Sequence, residues 1–178
     1  MVWLRLGADA LLVVICLVAL VTDLRRRLIY NWLTLPATAV GLVLGFVLDG
    51  PAGGLGAFSG ALVAFLLFGL FGLLGWVKFG DVKLMTAVGA FTRFPLVLWA
   101  IAYTAIVGGI LAVVYALWQR RLGEVLSNLG RAIVGGVRRD KGARLAELST
   151  LTMPYGVAIA LGTLWAVLTR YFSALRLG

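Results

Sequence analysis

The stretch KFGDVKLM, residues 78–85, interrupts one of the most apolar parts of the chain and separates two hydrophobic runs. It places Asp81 between Lys78 and Lys83, where a membrane-spanning segment is expected to begin. A charged side chain is costly inside a bilayer, so an acid at this boundary is either interfacial or functional. The hydrophobic pattern on both sides of this stretch indicates the fold class.

The composition is that of an integral membrane protein. Of the 178 residues, 62% are hydrophobic and only 13% are charged, and the mean hydropathy is +1.06. One soluble core of this size could not bury so much apolar surface, so the bilayer must act as the solvent for most side chains. The apolar runs are too long and too continuous for barrel strands, which predicts an all-α fold class.

Working outward from residues 78–85, the hydrophobic runs predict six transmembrane helices in a single polytopic domain, residues 1–178. The predicted spans are about 2–22, 32–48, 54–76, 81–93, 96–118 and 153–172. The first span lacks a cleavage site followed by a polar chain, so we expect it to be retained and not removed as a signal peptide. The fourth span is short, because its residues give only about 20 Å of helix.

The polar stretch 119–149 is predicted to be a cytoplasmic segment. It is either an amphipathic helix on an anionic membrane surface or a solvated connector. The net charge of +9 is interpreted through the positive-inside rule, and no nucleic-acid partner is expected. Most Lys and Arg residues fall between spans one and two, three and four, or five and six. This bias predicts a multi-pass protein of the inner (cytoplasmic) membrane with both termini outside.

The residue types present exclude several catalytic classes. The chain has no histidine, which removes Ser-His-Asp triads, Cys-His dyads and HExxH zinc proteases. Its one cysteine, Cys16, lies within the first span, so there is no disulfide framework and no CxxC metal site. Any catalysis must therefore use acids, bases or hydroxyl groups.

Two of the seven acids stand out by position. Asp23 closes the first span and Asp81 opens the fourth, so both are predicted at the same depth on the cytoplasmic side. Asp9 is expected to pair with Arg5, one helical turn away. The remaining acids are assigned to the outer face or to the basic cytoplasmic loop: Asp49, Glu124, Asp140 and Glu147.

Two carboxylates that meet at a membrane boundary are the smallest set of side chains with which an aspartyl protease can act. One is ionised and acts as a base toward water, and the other is protonated and polarises the scissile carbonyl. Alternatively, Asp81 is a helix N-cap and Asp23 neutralises a following arginine, although an acid at a helix C-terminus faces the unfavourable end of the dipole. A small transporter or a non-catalytic assembly scaffold are the other function classes; a transporter normally holds its acids nearer the midplane.

Three stretches together resemble the type IV prepilin peptidases, which are polytopic GxGD aspartyl proteases. They are TDLRRRLIYNWLTLP (22–36), GDVKLMTAVGAF (80–91) and MPYGVAIALG (153–162), in the order of the family. The resemblance implies that Asp23, Ile29 and Asn31 match a D-x(5)-I-x-N pattern and that Asp81 is the acid of GxGD. Asp23 and Asp81 would then be the catalytic pair.

The resemblance also implies supporting residues. Gly80 would allow a close approach of the backbone to substrate or to the other carboxylate. Lys83 matches the D-[VI]-K pattern, although it could equally be an ordinary interfacial anchor. The proline-aromatic-glycine motif is matched by residues expected to pack near the site: Pro154, Tyr155 and Gly156. The chain departs from the family at Lys78, which replaces the first glycine of GxGD, and at Tyr30, which replaces the proline before Asn31.

The implied activity is removal of the leader peptide from type IV pilin-like precursors at the cytoplasmic face. The partner would be a membrane-inserted prepilin-like protein with its own apolar helix in the bilayer. Larger members of the family carry a cysteine-rich insertion and also methylate the product. Because the loop between spans one and two is short and has no CxxC, we expect the short form, without methyltransferase activity and with no metal or organic cofactor.

Overall fold

The computed structural model describes residues 2–74, 76–118 and 155–176. These residues contain five helices and no strand: α1 (Val2–Arg26), α2 (Asn31–Leu73), α3 (Phe79–Thr92), α4 (Leu96–Trp118) and α5 (Tyr155–Arg176). The all-α class predicted from the sequence is confirmed. The predicted cytoplasmic segment, 119–149, and the predicted site residue Pro154 lie outside the described residues.

Four of the described helices are long and apolar enough to cross a membrane. They are α1, α2, α4 over Leu96–Val114 and α5 over Tyr155–Phe172. Large hydrophobic side chains, among them Val43, Phe65 and Ile106, are exposed on them, as expected for surfaces that face lipid tails. The shorter helix α3, with 14 residues, is not among the four. Most of its side chains are buried by the other helices.

Helix α2 contains a sharp reversal where the sequence predicted a loop between spans two and three. Its non-helical residues are Asp49 (φ −135°, ψ 20°) and Gly50 (φ 63°, ψ −151°), and the positive φ of Gly50 favours glycine. The two halves of α2 pack against each other, because a Cβ added at Gly53 would lie 2.2 Å from the carbonyl oxygen of Gly45. The described residues therefore form five helices where six were predicted, since the turn between spans two and three is only two residues long.

Small residues bring α3 into close contact with the second half of α2. A Cβ added at Gly60 would lie 2.4 Å from the carbonyl oxygen of Gly89, and the converse distance is also 2.4 Å. Such glycine contacts allow helix backbones to approach closely in membrane proteins. Leu84, Met85 and Val88 of α3 are fully buried. Helix α3 is therefore held at a fixed depth in the bundle.

Ion pairs join the helices at the end opposite Asp23, and they correct one prediction. Arg5 and Arg93 both donate to the carboxylate of Asp49 at the reversal of α2. Asp9 accepts hydrogen bonds from Arg170 and Tyr171 of α5, so the predicted pairing of Asp9 with Arg5 is wrong. Asp9 is buried and faces α5, whereas Arg5 lies one turn nearer the start of α1 and reaches α2.

Candidate active site

Asp23 lies in the last turn of α1, and only 3% of it is exposed. One oxygen of its carboxyl group, Oδ2, accepts a hydrogen bond of 2.9 Å from the backbone N–H of Gly156. Gly156 is the second residue of α5, so the positive N-terminal end of α5 lies at the carboxylate. This contact offsets the unfavourable dipole of α1, on whose C-terminal turn Asp23 is carried.

The contact at Asp23 requires a glycine at position 156. A Cβ added at Gly156 would lie 2.8 Å from Oδ2 and 3.1 Å from Cβ of Asp23. Sequence reasoning placed Gly156 in a packing role and missed its direct contact with the acid. The proline-aromatic-glycine motif marked Gly156 as a site residue. Its partner, Asp23, lies near the other end of the chain, so no local sequence pattern indicates the contact.

Asp81 is the third residue of α3 and is also only 3% exposed. Its Oδ2 accepts the backbone N–H of Lys78 at 3.1 Å. Lys78, and not Asp81, is the N-cap residue, so the alternative interpretation of Asp81 as the N-cap is wrong in position. Asp81 is the third residue of the helix and caps it from there, because its carboxyl group satisfies a free N–H at the helix start.

The two carboxyl groups interact with each other. The pKa of Asp81 is raised to about 7, first by burial and then by the negative charge of Asp23, while the backbone N–H and the ammonium group of Lys78 oppose the shift. The negative charge of Asp23 thus disfavours ionisation of Asp81, as expected for two carboxyl groups near each other in a poorly solvated place. The structure thus brings Asp23 and Asp81 together at one end of the bundle, and their catalytic role stays a prediction.

Three contacts hold the start of α3 against the link between α1 and α2. Lys78 Nζ donates a hydrogen bond of 3.3 Å to the carbonyl oxygen of Arg27. Gly80 lies close to Ile29. Lys83 Nζ donates a hydrogen bond of 2.9 Å to Asn31 Oδ1. A Cβ added at Gly80 would lie 3.2 Å from Cβ of Ile29. Gly80 therefore permits a close approach to the link between α1 and α2, and its predicted approach to substrate or to the other carboxylate stays a prediction.

The other predicted site residues lie around this region. Tyr155 is half-buried, with its ring edge-to-face on Phe68 at 6.3 Å, and a Cβ added at Gly108 would lie 3.0 Å from its hydroxyl oxygen. Tyr30 accepts a hydrogen bond of 3.1 Å from Arg26. Within the described ranges, no group of three or more Cys, Asp or Glu side chains is placed to hold a metal ion.

The fold and the site define a class of protein: a helical bundle with membrane-crossing helices and a buried pair of interacting carboxyl groups at one end. A comparison with protein families matches residues 10–113 to the type IV leader peptidase family. This region includes Asp23 and Asp81 and covers more than half of the chain. The chain belongs to the type IV leader peptidase family, whose members are proteases, and the resemblance seen in the sequence is confirmed. Searches of curated proteins and of solved structures found no match.

Proposed function

We propose that the protein is an aspartyl endopeptidase of the cytoplasmic membrane that removes leader peptides from type IV pilin-like precursors. The observation that carries the proposal is the pair of buried acids. Asp23 and Asp81 come from different helices and share one site at the same end of the bundle. Membership of the leader peptidase family supports the protease class.

In the proposed reaction the two acids have different roles. Asp23, ionised beside the N-terminus of α5, takes a proton from water as the water oxygen bonds to the scissile carbonyl carbon. Asp81, protonated, donates a hydrogen bond to the carbonyl oxygen and stabilises the charge that develops there. The carbon–nitrogen bond then breaks as the leaving nitrogen receives the proton from Asp23. The products are a carboxylic acid and an amine, and the site returns to one shared proton.

Two local features support this division of roles. The N–H of Gly156 reaches Asp23 in a buried setting and holds its carboxyl group at the N-terminus of α5. The raised pKa of Asp81, about 7, keeps that group largely protonated in mildly acidic solution and about half protonated at neutral pH. Asp23 is therefore proposed as the base and Asp81 as the acid.

The charges at the site support its placement on the cytoplasmic side. Arg25, Arg26 and Lys78 are exposed at the same end of the bundle as the two acids, and basic residues favour the cytoplasmic face. We propose that both termini lie outside and that the molecule is built of six helical segments in one domain. The two halves of α2 would cross the membrane separately, and the longer helices would enclose α3. The precursor would hold its apolar helix in the bilayer and present its leader to the cytoplasm.

Single amide substitutions of the two acids test this function. With a pilin-like precursor co-expressed, Asp23→Asn and Asp81→Asn should each slow leader removal by about a hundredfold or more, because each removes one half of the acid–base pair. Leader removal is measured by the change in precursor mass, relative to the amount of inserted enzyme. Asp49→Asn is the matched control, since Asp49 pairs with arginines at the opposite end, and it should keep cleavage per inserted molecule.

Two results would count against the proposal. Normal processing by either the Asp23 or the Asp81 variant would remove the two-acid mechanism. An unprocessed precursor in cells that contain the inserted native chain would favour the non-catalytic scaffold.

A further inference from the structure

Lys78 occupies a position where the family pattern GxGD has glycine, and its contacts in this chain involve both halves of the site. Its backbone N–H donates to Asp81 at 3.1 Å, and its Nζ donates to the carbonyl oxygen of Arg27 at 3.3 Å. Arg27 follows directly after α1, the helix that carries Asp23. The side chain of Lys78 therefore spans from the start of α3 to the end of α1.

We propose that Lys78 is a positioning residue of this protease, which keeps a positive charge beside the carboxyl pair and joins the two helices that carry it. The proposal rests on the function proposed above and adds a property that belongs to this chain. Glycine at this position could supply the backbone N–H, but it could supply neither the ammonium charge nor the bridge to Arg27.

The charged and titratable groups around Asp81 leave a clear role for this ammonium. Asp23 faces Asp81 from α1, and the hydroxyl of Tyr155 faces it from α5. Lys83 is engaged with Asn31. Among the described residues, α4 carries no charged side chain, and the only charged residue of α2, Asp49, lies at its reversal, at the opposite end of the bundle. Lys78 is thus a cation that acts directly on Asp81.

The expected consequence is that the activity is lost at a lower pH with Lys78 than it would be with glycine at this position. The Lys78 charge lowers the pKa of Asp81, against the effects of burial and of Asp23. Asp81 must be protonated to polarise the scissile carbonyl, so activity should decline as pH rises above about 7. Removing the positive charge raises the pKa of Asp81, so the protonated form persists to higher pH and the alkaline limb moves upward.

The test is the pH dependence of leader cleavage by the purified full chain in lipid vesicles. Lys78→Met keeps the backbone N–H and the side-chain length but removes the charge, and it should shift the alkaline limb upward by about half a pH unit, the size expected for one partly solvated charge. Lys78→Gly should give the same shift and serves if the methionine variant does not insert. Lys78→Arg should keep the native profile. Arg25→Met, which removes an exposed charge at the same end, should also keep it.

Alkaline limbs of Lys78→Met and Lys78→Gly that coincide with the native limb would overturn the proposal. An equal shift in Lys78→Arg would overturn it as well, because the charge is then not the cause. The outcome is separate from that of the proposed function, which depends on the loss of cleavage in the Asp23→Asn and Asp81→Asn variants.

Discussion

At the scale of residues, backbone N–H groups stabilise two acids that lie in a poorly solvated place. Each carboxyl group is buried, and each receives one backbone N–H at the start of a helix: Asp81 from its own helix through Lys78, and Asp23 from α5 through Gly156. Buried polar groups need such partners, because an unsatisfied one is costly. The two N–H groups therefore orient the two acids.

Gly156 provides a test at this scale. Gly156→Ala places a Cβ 2.8 Å from Oδ2 of Asp23, so the carboxylate must move by a fraction of an ångström or more. We expect leader cleavage to slow by about tenfold to a hundredfold, since a small displacement of a group that takes part in the reaction strongly lowers the rate. Gly109→Ala is the control, because a Cβ there meets nothing within 4 Å. Equal rates for the two variants would show that the Gly156 contact does not position Asp23.

The residue scale also shows where sequence reasoning succeeds and where it stops. Asp23 and Asp81 could be selected because hydropathy fixes their depth, and family motifs surround them. The partner of Asp9 could not be predicted, because a neighbour at helical spacing, Arg5, competes with Arg170 at the far end of the chain. Only the packing of α5 against α1 decides between them.

At the scale of elements, the position of α3 determines where Asp81 lies. The helix is too short to fix its depth through its own contact with lipid, and it is held instead by its buried side chains and by the contact of Gly60 with Gly89. Hydropathy predicted the helices and the reversal at Asp49 and Gly50, because apolar runs and an Asp-Gly-Pro turn are local signals. It could not predict which glycines touch, since that depends on the rotation of each helix about its axis.

The contact between Gly60 and Gly89 can be tested by overpacking. A valine at position 89 must displace the backbone of α2, so Gly89→Val should lower the free energy of unfolding by about 1–3 kcal/mol. The measurement is thermal unfolding in detergent. Gly69→Val, at a site where an added Cβ meets nothing within 4 Å, is the matched control for a β-branched residue in the same pair of helices. Equal stabilities of both variants would contradict the close packing of α2 and α3.

At the scale of the whole molecule, the bundle separates two polar ends. Arg5, Arg93 and Asp49 join α1, α2 and the end of α3 at one end, and the two acids lie at the other. Arg5 and Asp23 are 18 positions apart in α1, which corresponds to about 27 Å, close to the thickness of a hydrocarbon core. The ion pairs therefore join the helices at one end of the bundle, and the proposed site lies at the other end.

The most direct test of the central claim is whether positions 23 and 81 meet in the membrane. In a Cys16→Ala background, the double variant Asp23→Cys and Asp81→Cys is treated in vesicles with a short thiol-specific cross-linker, and linked peptides are measured by mass spectrometry. The pair Arg5→Cys and Asp49→Cys, which replaces an ion pair at the other end, is the positive control. We expect both pairs to be linked in high yield. Linkage of the control pair alone would contradict a shared site for the two acids.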